Sequence, residues 1–303
     1  MRTRSLLVVT AIAVLLTGGC AQRSEQAATP PKDGGYPVTV DSSGTKLTIK
    51  NKPERIVSLG PSATEDLFAV GAGKQVVAAD SLSDYPEGVP RTKLSSIQPN
   101  VEAIAGYKPD LVVATDDMNG LSGKLAKLGI PVLFVKAPKD LDGVYGQLTT
   151  LGKTTGHERE AYDTTKRMRH DIDKLVEDTP KPAKVLSYFY EADSTLYTAT
   201  SKTFIGSVFG MFGMRNIADD ADKAGSGYPQ LSAEKILQSN PDLIFVTDKE
   251  PAAAVGARPG WSELKAVQRH QVIELDPSIS ARWTPRLVDL VREVAKAADE
   301  AGK

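Results

Sequence analysis

The chain has 303 residues, 41% hydrophobic and 25% charged, a globular balance that excludes a disordered or fibrous protein. Thirty-seven Lys and Arg against 38 Asp and Glu leave a formal charge of −1, and only 6% of residues are aromatic; a nucleic-acid binder would need a more basic surface and more stacking platforms. The single cysteine, Cys20, excludes an internal disulfide and a cysteine-based zinc site, and three histidines leave little for a histidine-rich metal centre.

Arg2 and Arg4 precede the run LLVVTAIAVLL from Leu6 to Leu16. Such a run is too short for a bilayer core of ~30 Å, which takes roughly 20 residues. A positive start, a short apolar stretch and small residues before a break predict a secretory signal peptide over 1–19. Gly18-Gly19-Cys20 resembles the lipobox of bacterial lipoproteins, although Thr17 stands where that pattern more often has Leu. The resemblance implies a lipidated Cys20 that anchors the protein to the outer face of the cell membrane. Residues 20–35 are polar and rich in Pro and Gly, and read as a lipidated tether.

Tyr36 to Lys50 alternates around the turn signal Asp41-Ser42-Ser43-Gly44, which predicts a hairpin. Arg55 to Leu59 reads as a strand broken by Gly60-Pro61. Ser62-Ala63-Thr64-Glu65 fits a capping box opening a helix through Val70, and Gln75 to Ala79 reads as the next strand. Short apolar strands alternating with helices predict an α/β fold with parallel sheets.

The most informative feature is a repeat. Glu102 to Asp116 (EAIAGYKPDLVVATD) and Glu234 to Asp248 (EKILQSNPDLIFVTD) agree at seven of fifteen positions, 132 residues apart. Each copy reads as a short helix with a glutamate at its positive end, a proline stop, a buried strand, and Thr-Asp at the carboxyl end, where open α/β sheets place ligand loops. Two copies predict two Rossmann-like lobes facing one cleft. Glu158 to Glu177 carries a helical apolar stripe stopped by Thr179-Pro180, the pattern of a single long helix bridging the lobes. The expected division is an N-terminal α/β lobe over 36–142, a helical linker over 143–180 and a C-terminal α/β lobe over 181–303, its last helix running from Pro285 to Ala298.

The ordered segments RIVSLGPSATEDLFAVGAG, SDYP, PNVEAIAGYKPDLVVA, LGIPVLFV, PQLSAEKILQSNPDLI and TPRL resemble substrate-binding proteins of ABC importers, in the branch for iron–siderophore, haem and corrinoid uptake. The resemblance runs from about Arg55 to Ala298. It implies two α/β lobes joined by one long helix, a ligand between them, and a permease dimer with its ATPase as partners. It also implies that Glu102 and Glu234 pair with permease arginines, since each carboxylate can accept a bidentate guanidinium. Ser62, Thr64, Asp84, Tyr85, Thr115, Asp116, Tyr228, Arg282 and Trp283 are the implied ligand-binding residues. The ligand implied is a metal chelate, with no resident cofactor or metal and a monomeric receptor. Ser95 to Asn100 offers no aromatic where corrinoid-binding relatives often have Trp, which tilts the expected ligand toward a ferric siderophore; a corrinoid or haem is the alternative.

Rival classes lack their motifs. There is no G-x-S-x-G nucleophile elbow. Gly71-Ala72-Gly73-Lys74 fails the P-loop because Phe68 replaces its first glycine and Gln75 its Ser/Thr, and it fails the dinucleotide fingerprint at Val76. His157-Glu158-Arg159-Glu160-Ala161 fails H-E-x-x-H at its last position. An enzyme, a bare-metal receptor and a structural surface lipoprotein are the weaker readings.

Overall fold

The computed structural model describes residues 32–248 and 251–303; the expected signal peptide and the lipobox cysteine lie outside the described residues. Val38–Ser42 (β1) and Thr45–Ile49 (β2) pair antiparallel as the expected hairpin. Ser43 and Gly44 form its turn at φ 53° and 91°, the primed geometry whose twist matches paired strands.

The first lobe then runs Ile56–Leu59 (β3), Pro61–Ala69 (α1), Val76–Ala79 (β4), Val101–Gly106 (α2), Leu111–Ala114 (β5), Leu121–Ala126 (α3) and Val132–Phe134 (β6). Its four strands are parallel in the order β4-β3-β5-β6. Leu141–Thr155 (α4) and Glu158–Asp178 (α5) follow as a packed pair. The second lobe contains Ser187–Glu191 (β7), Phe204–Gly210 (α6), Arg215–Asn216 (β8), Ala233–Ser239 (α7), Leu243–Val246 (β9), Ala252–Gly256 (α8), Lys265–Gln268 (α9), Val272–Glu274 (β10), Pro277–Ser280 (α10) and Leu287–Gly302 (α11). Its parallel order β8-β7-β9-β10 repeats that of the first lobe, with the first strand between the second and third.

The repeat does the same structural work twice. Asn100 and Ser232 cap α2 and α7 by accepting from the N–H groups of Ala103 and Lys235. Lys108 and Asn240 leave the helical region at φ 50° and 44°, just before Pro109 and Pro241. The next aspartate ties its strand to the lobe's first strand. Asp110 accepts from the backbone N–H of Glu54 and Arg55, while Asp242 accepts from the N–H and hydroxyl of Ser187 and from Lys184. Burial alone would raise the Asp242 carboxyl, but the Ser187 and Lys184 bonds outweigh it and hold it below the usual carboxylate range.

The structure corrects the capping box. The α1 cap is Gly60, without a side-chain bond, and Pro61 opens the helix with a φ already suited to it. Gly60 has φ 128°, and a Cβ there would meet Thr115 Cγ2 at 2.8 Å, so this turn requires glycine. Ser62 lies within the first helical turn, and Glu65 reaches into the other lobe.

Strand alternation divides the core. Val57, Leu59, Val112 and Ala114 pack with α2 and α3 on the outer face of the first sheet, and Phe189, Ile244 and Val246 do so with α7 to α9 in the second. The inner faces share one apolar cluster, from the hairpin through Leu67, Leu148, Met168 and Ile172 to Phe209, Phe245, Leu290 and Val294. α4 packs on α1 and β1, and α5 packs on α1, α4 and α11, so the connector belongs to this shared core. The root of the tether is fixed to it as well. Gly34 N–H donates to Glu158, Asp33 accepts from Arg159 N–H at the start of α5, and the Tyr36 hydroxyl donates to the Thr154 carbonyl.

A connector packed on both lobes resists hinge opening, because opening would break close-packed apolar contacts. Solution scattering with and without ligand should therefore give nearly superimposable curves; a marked fall in radius of gyration on binding would contradict a stiff connector.

Candidate functional site

Between the lobes lies a cavity of about 470 Å³. The first lobe contributes Ala137, Pro138 and Lys139, which follow β6. The second contributes Tyr190 and Ala192 at the end of β7, Lys202 to Ile205, the Gly225–Tyr228 loop, and Ser280, Ala281 and Trp283 beyond β10. All of these lie at or beyond the carboxyl ends of parallel strands, the position at which open α/β sheets bind ligands. A larger hollow of about 590 Å³ lies at the opposite end of the first sheet, against Pro53, Asp110 and Pro131, away from that rim.

The Gly225–Tyr228 loop is shaped by Asp222, whose carboxylate accepts from the N–H groups of Ser226 and Gly227 and from the Ser226 hydroxyl. The Gly227 N–H leads in holding that carboxyl below its ordinary value. Gly227 has φ 81°, and a Cβ would meet Thr203 Cγ2 at 2.8 Å, so glycine lets the loop close down on α6. Tyr228 is thereby left more than half exposed, and the Trp283 indole N–H is buried with no acceptor among the described residues.

Beside the cavity the lobes are clamped by one carboxylate. Glu65 on α1 is 3% exposed. Its Oε1 accepts from Arg282 at 2.7 Å and from Arg286 at 2.6 Å; its Oε2 accepts from Arg286 Nε at 2.9 Å and from the Thr284 hydroxyl at 2.8 Å. Asp84 takes a further bond from Arg282 at 2.9 Å, and Arg286 lies 4.3 Å above the Tyr85 ring. Burial would raise the Asp84 carboxyl, but the Arg282 hydrogen bond and charge lower it. Next along α1, Asp66 is fully buried and neither oxygen has a partner among the described residues. Burial first, and then the Glu65 charge, push its pKa well above the usual range and favour the neutral acid.

Of the nine residues expected at the ligand, Tyr228 and Trp283 line the cavity. Thr64 is wholly buried, its hydroxyl bonded to Ser58, Gly60 and Ser83, and Ser62 is buried beside it. Thr115 packs against Gly60, and Asp116 is exposed outside the lining. Asp84 and Tyr85 sit at the clamp; Tyr85 and Pro86, across a cis peptide bond, face a separate groove of about 400 Å³ with Glu65 and Arg286. Arg282, expected against an anionic ligand, has its guanidinium engaged by Glu65 and Asp84. Lys139, Tyr190, Lys202 and Phe204 line the cavity and were not anticipated. Lys139 does follow an apolar strand pattern, a signal that sequence reading could have used.

Glu102 and Glu234 are exposed on the first turns of α2 and α7. The capping bonds there come from Asn100 and Ser232, and neither glutamate has a hydrogen bond or ion pair among the described residues. No cluster of metal-ligating side chains, and no helix long and apolar enough to cross a membrane, occurs among the described residues.

Two parallel α/β lobes on one shared helical core, with a cleft at their carboxyl ends, define a solute-binding architecture. The periplasmic binding protein family model matches residues 56–279, and the chain belongs to that family. An uncharacterised ABC transporter substrate-binding lipoprotein of Bacillus subtilis (strain 168) is 34% identical over 298 residues, covering 94% of each chain. A cobalamin-binding protein of Halobacterium salinarum (strain ATCC 29341 / DSM 671 / R1) is 31% identical, covering 96% of this chain and 83% of that one. The crystal structure of a periplasmic vitamin B12-binding protein of Vibrio cholerae superposes with a TM-score of 0.68 at 29% identity, over 83% of this chain and 99% of that one. The family is one of extracytoplasmic substrate-binding proteins of ABC transporters rather than of enzymes, so a small-molecule ligand and a permease with its ATPase are its partners.

Removing the clamp carboxylate takes from the part-buried Arg286 its carboxylate partner and leaves Arg282 with Asp84 alone. Glu65→Ala should cost about 3–5 kcal/mol, a fall in Tm of roughly 10 °C, measurable by thermal melting. A melting curve that does not move would show that the clamp carries no stability.

Proposed function

We propose that the protein is a monomeric receptor, anchored outside the cytoplasm by lipid on Cys20, that captures a corrinoid-type metal chelate and passes it to an ABC importer permease. The observation that carries this reading is the aromatic character of the cleft: Tyr190, Phe204, Tyr228 and Trp283 converge on it. Ring faces suit the broad face of a macrocycle, which offers contact area and few directed bonds. Ser95 to Asn100 lie outside the cavity lining, so the aromatic missing from that segment counts less against a corrinoid than the sequence alone suggests. Relatives named for cobalamin or vitamin B12 support the same class.

A ferric siderophore, toward which the sequence leans, is the second reading. Lys139 and Lys202 in the lining favour it, because such chelates are commonly anionic. A thermal-shift panel of cyanocobalamin, haem and ferric siderophores separates these readings, since a ligand that binds only the native state raises Tm by mass action. Cyanocobalamin should give the largest shift; a shift confined to ferric siderophores would replace the corrinoid by the second reading.

Delivery is assigned to Glu102 and Glu234. They occupy matched positions on the two lobes and are left free by the Asn100 and Ser232 caps, as suits docking onto a two-fold permease. Glu102→Ala with Glu234→Ala should abolish uptake while leaving ligand affinity within about twofold of the parent, a difference under the ~1.4 kcal/mol that marks tenfold. Normal uptake by the double variant would sink this assignment.

A further inference from the structure

The polar chemistry of the cleft is one-sided. Among the described residues its lining includes two lysines and not one carboxylate. Lys139 comes from the first lobe and Lys202 from the second, both exposed and neither in an ion pair or hydrogen bond among the described residues. Arg282, the neighbouring cation, is already neutralised by Glu65 and Asp84, so among the described residues the cleft's uncompensated positive charge rests on the two lysines.

We propose that Lys139 and Lys202, acting from opposite lobes, form an anion-reading set that selects chelates carrying a peripheral phosphodiester or carboxylate. This rests on the corrinoid-type reading of the cleft and refines it. The aromatic faces hold the macrocycle whatever its charge, and the lysines discriminate by what hangs from its rim. One cation on each lobe lets a single anionic arm interact with both halves of the cleft, so ligand charge contributes to holding the lobes on the ligand. The lysine ammonium is a compact point charge on a flexible stem, suited to a phosphate or carboxylate presented at varying angles.

The experiment is calorimetric titration of the full-length mature protein with three probes. Cyanocobalamin carries a phosphodiester in its nucleotide loop, dicyanocobinamide lacks that loop, and hemin carries two carboxylates. The parent should bind cyanocobalamin more tightly than dicyanocobinamide, with the gap narrowing as salt is raised. Lys139→Met with Lys202→Met keeps the stems and removes the charges. It should weaken cyanocobalamin and hemin by roughly tenfold or more, the scale of a lost charge-assisted bond, and leave dicyanocobinamide unchanged. The two probes tell the sources apart: a loss on cyanocobalamin alone assigns the set to the phosphodiester, and a loss on hemin alone assigns it to carboxylates. Equal losses on all three probes, or none on any, would overturn the anion-reading set. Failure of the unaltered protein to bind any of the three would instead overturn the ligand class itself. Both lysines are exposed, so the double variant should fold, and an unchanged Tm without ligand verifies it.

Discussion

One buried carboxylate governs the geometry of the cleft. Glu65 leaves the first lobe on α1 and meets Arg282, Thr284 and Arg286, more than 200 residues later in the chain. A lone carboxylate at that depth would be prohibitively unfavourable, and two guanidinium groups and a hydroxyl saturate both of its oxygens. The segment it fixes runs directly into Trp283, the only residue of the Arg282–Arg286 stretch in the cavity wall. The clamp thus sets where the second lobe's wall stands relative to the first. The shared apolar cluster under α4, α5 and α11 supplies the bulk of the cohesion, and the clamp supplies its registration.

Much of the fold could be read from the sequence because both lobes solve the same problem with the same residues. Pro-Asp ends a helix and begins a strand in each, and the aspartate bonds back to the lobe's first strand in each. Such local chemistry leaves a local pattern, which is why the repeat was visible without an alignment. The hairpin was visible for the same reason, through Ser43-Gly44. The capping box failed because Glu65 has a stronger partner 217 residues away, and no window of local sequence contains that partner.

The cleft was less legible. Of the residues just after the first lobe's strands, Thr64 bonds through its hydroxyl to Ser58, Gly60 and Ser83, Ser62 is buried beside it, and Thr115 packs against Gly60. Arg282 was sought at the ligand and is spent on the clamp. The walls are instead built from loops whose residues gain meaning only when both lobes are in place: Lys139 before α4, Lys202 before α6, and the Asp222-shaped turn bearing Tyr228. Periodicity marks what is buried within a lobe and is silent about what two lobes share.

The tether's root sets a reach. α4 starts beyond the carboxyl end of β6 and runs back along the lobe, so Thr154, Glu158 and Arg159, which hold Asp33, Gly34 and Tyr36, lie at the amino end of the first sheet. Gln75 confirms the placement by donating to the carbonyls of both Pro53 and Thr155. Glu102 starts a helix whose other end enters β5 at that same amino end, so the glutamate lies toward the opposite rim. A lipid on Cys20 would then hold the protein by its far side, and the 13 steps of chain from Cys20 to Asp33 extend to about 45 Å at most. A receptor held that way would stay within a thin layer above the membrane, and the length of its leash would limit how far its cleft could turn toward the membrane.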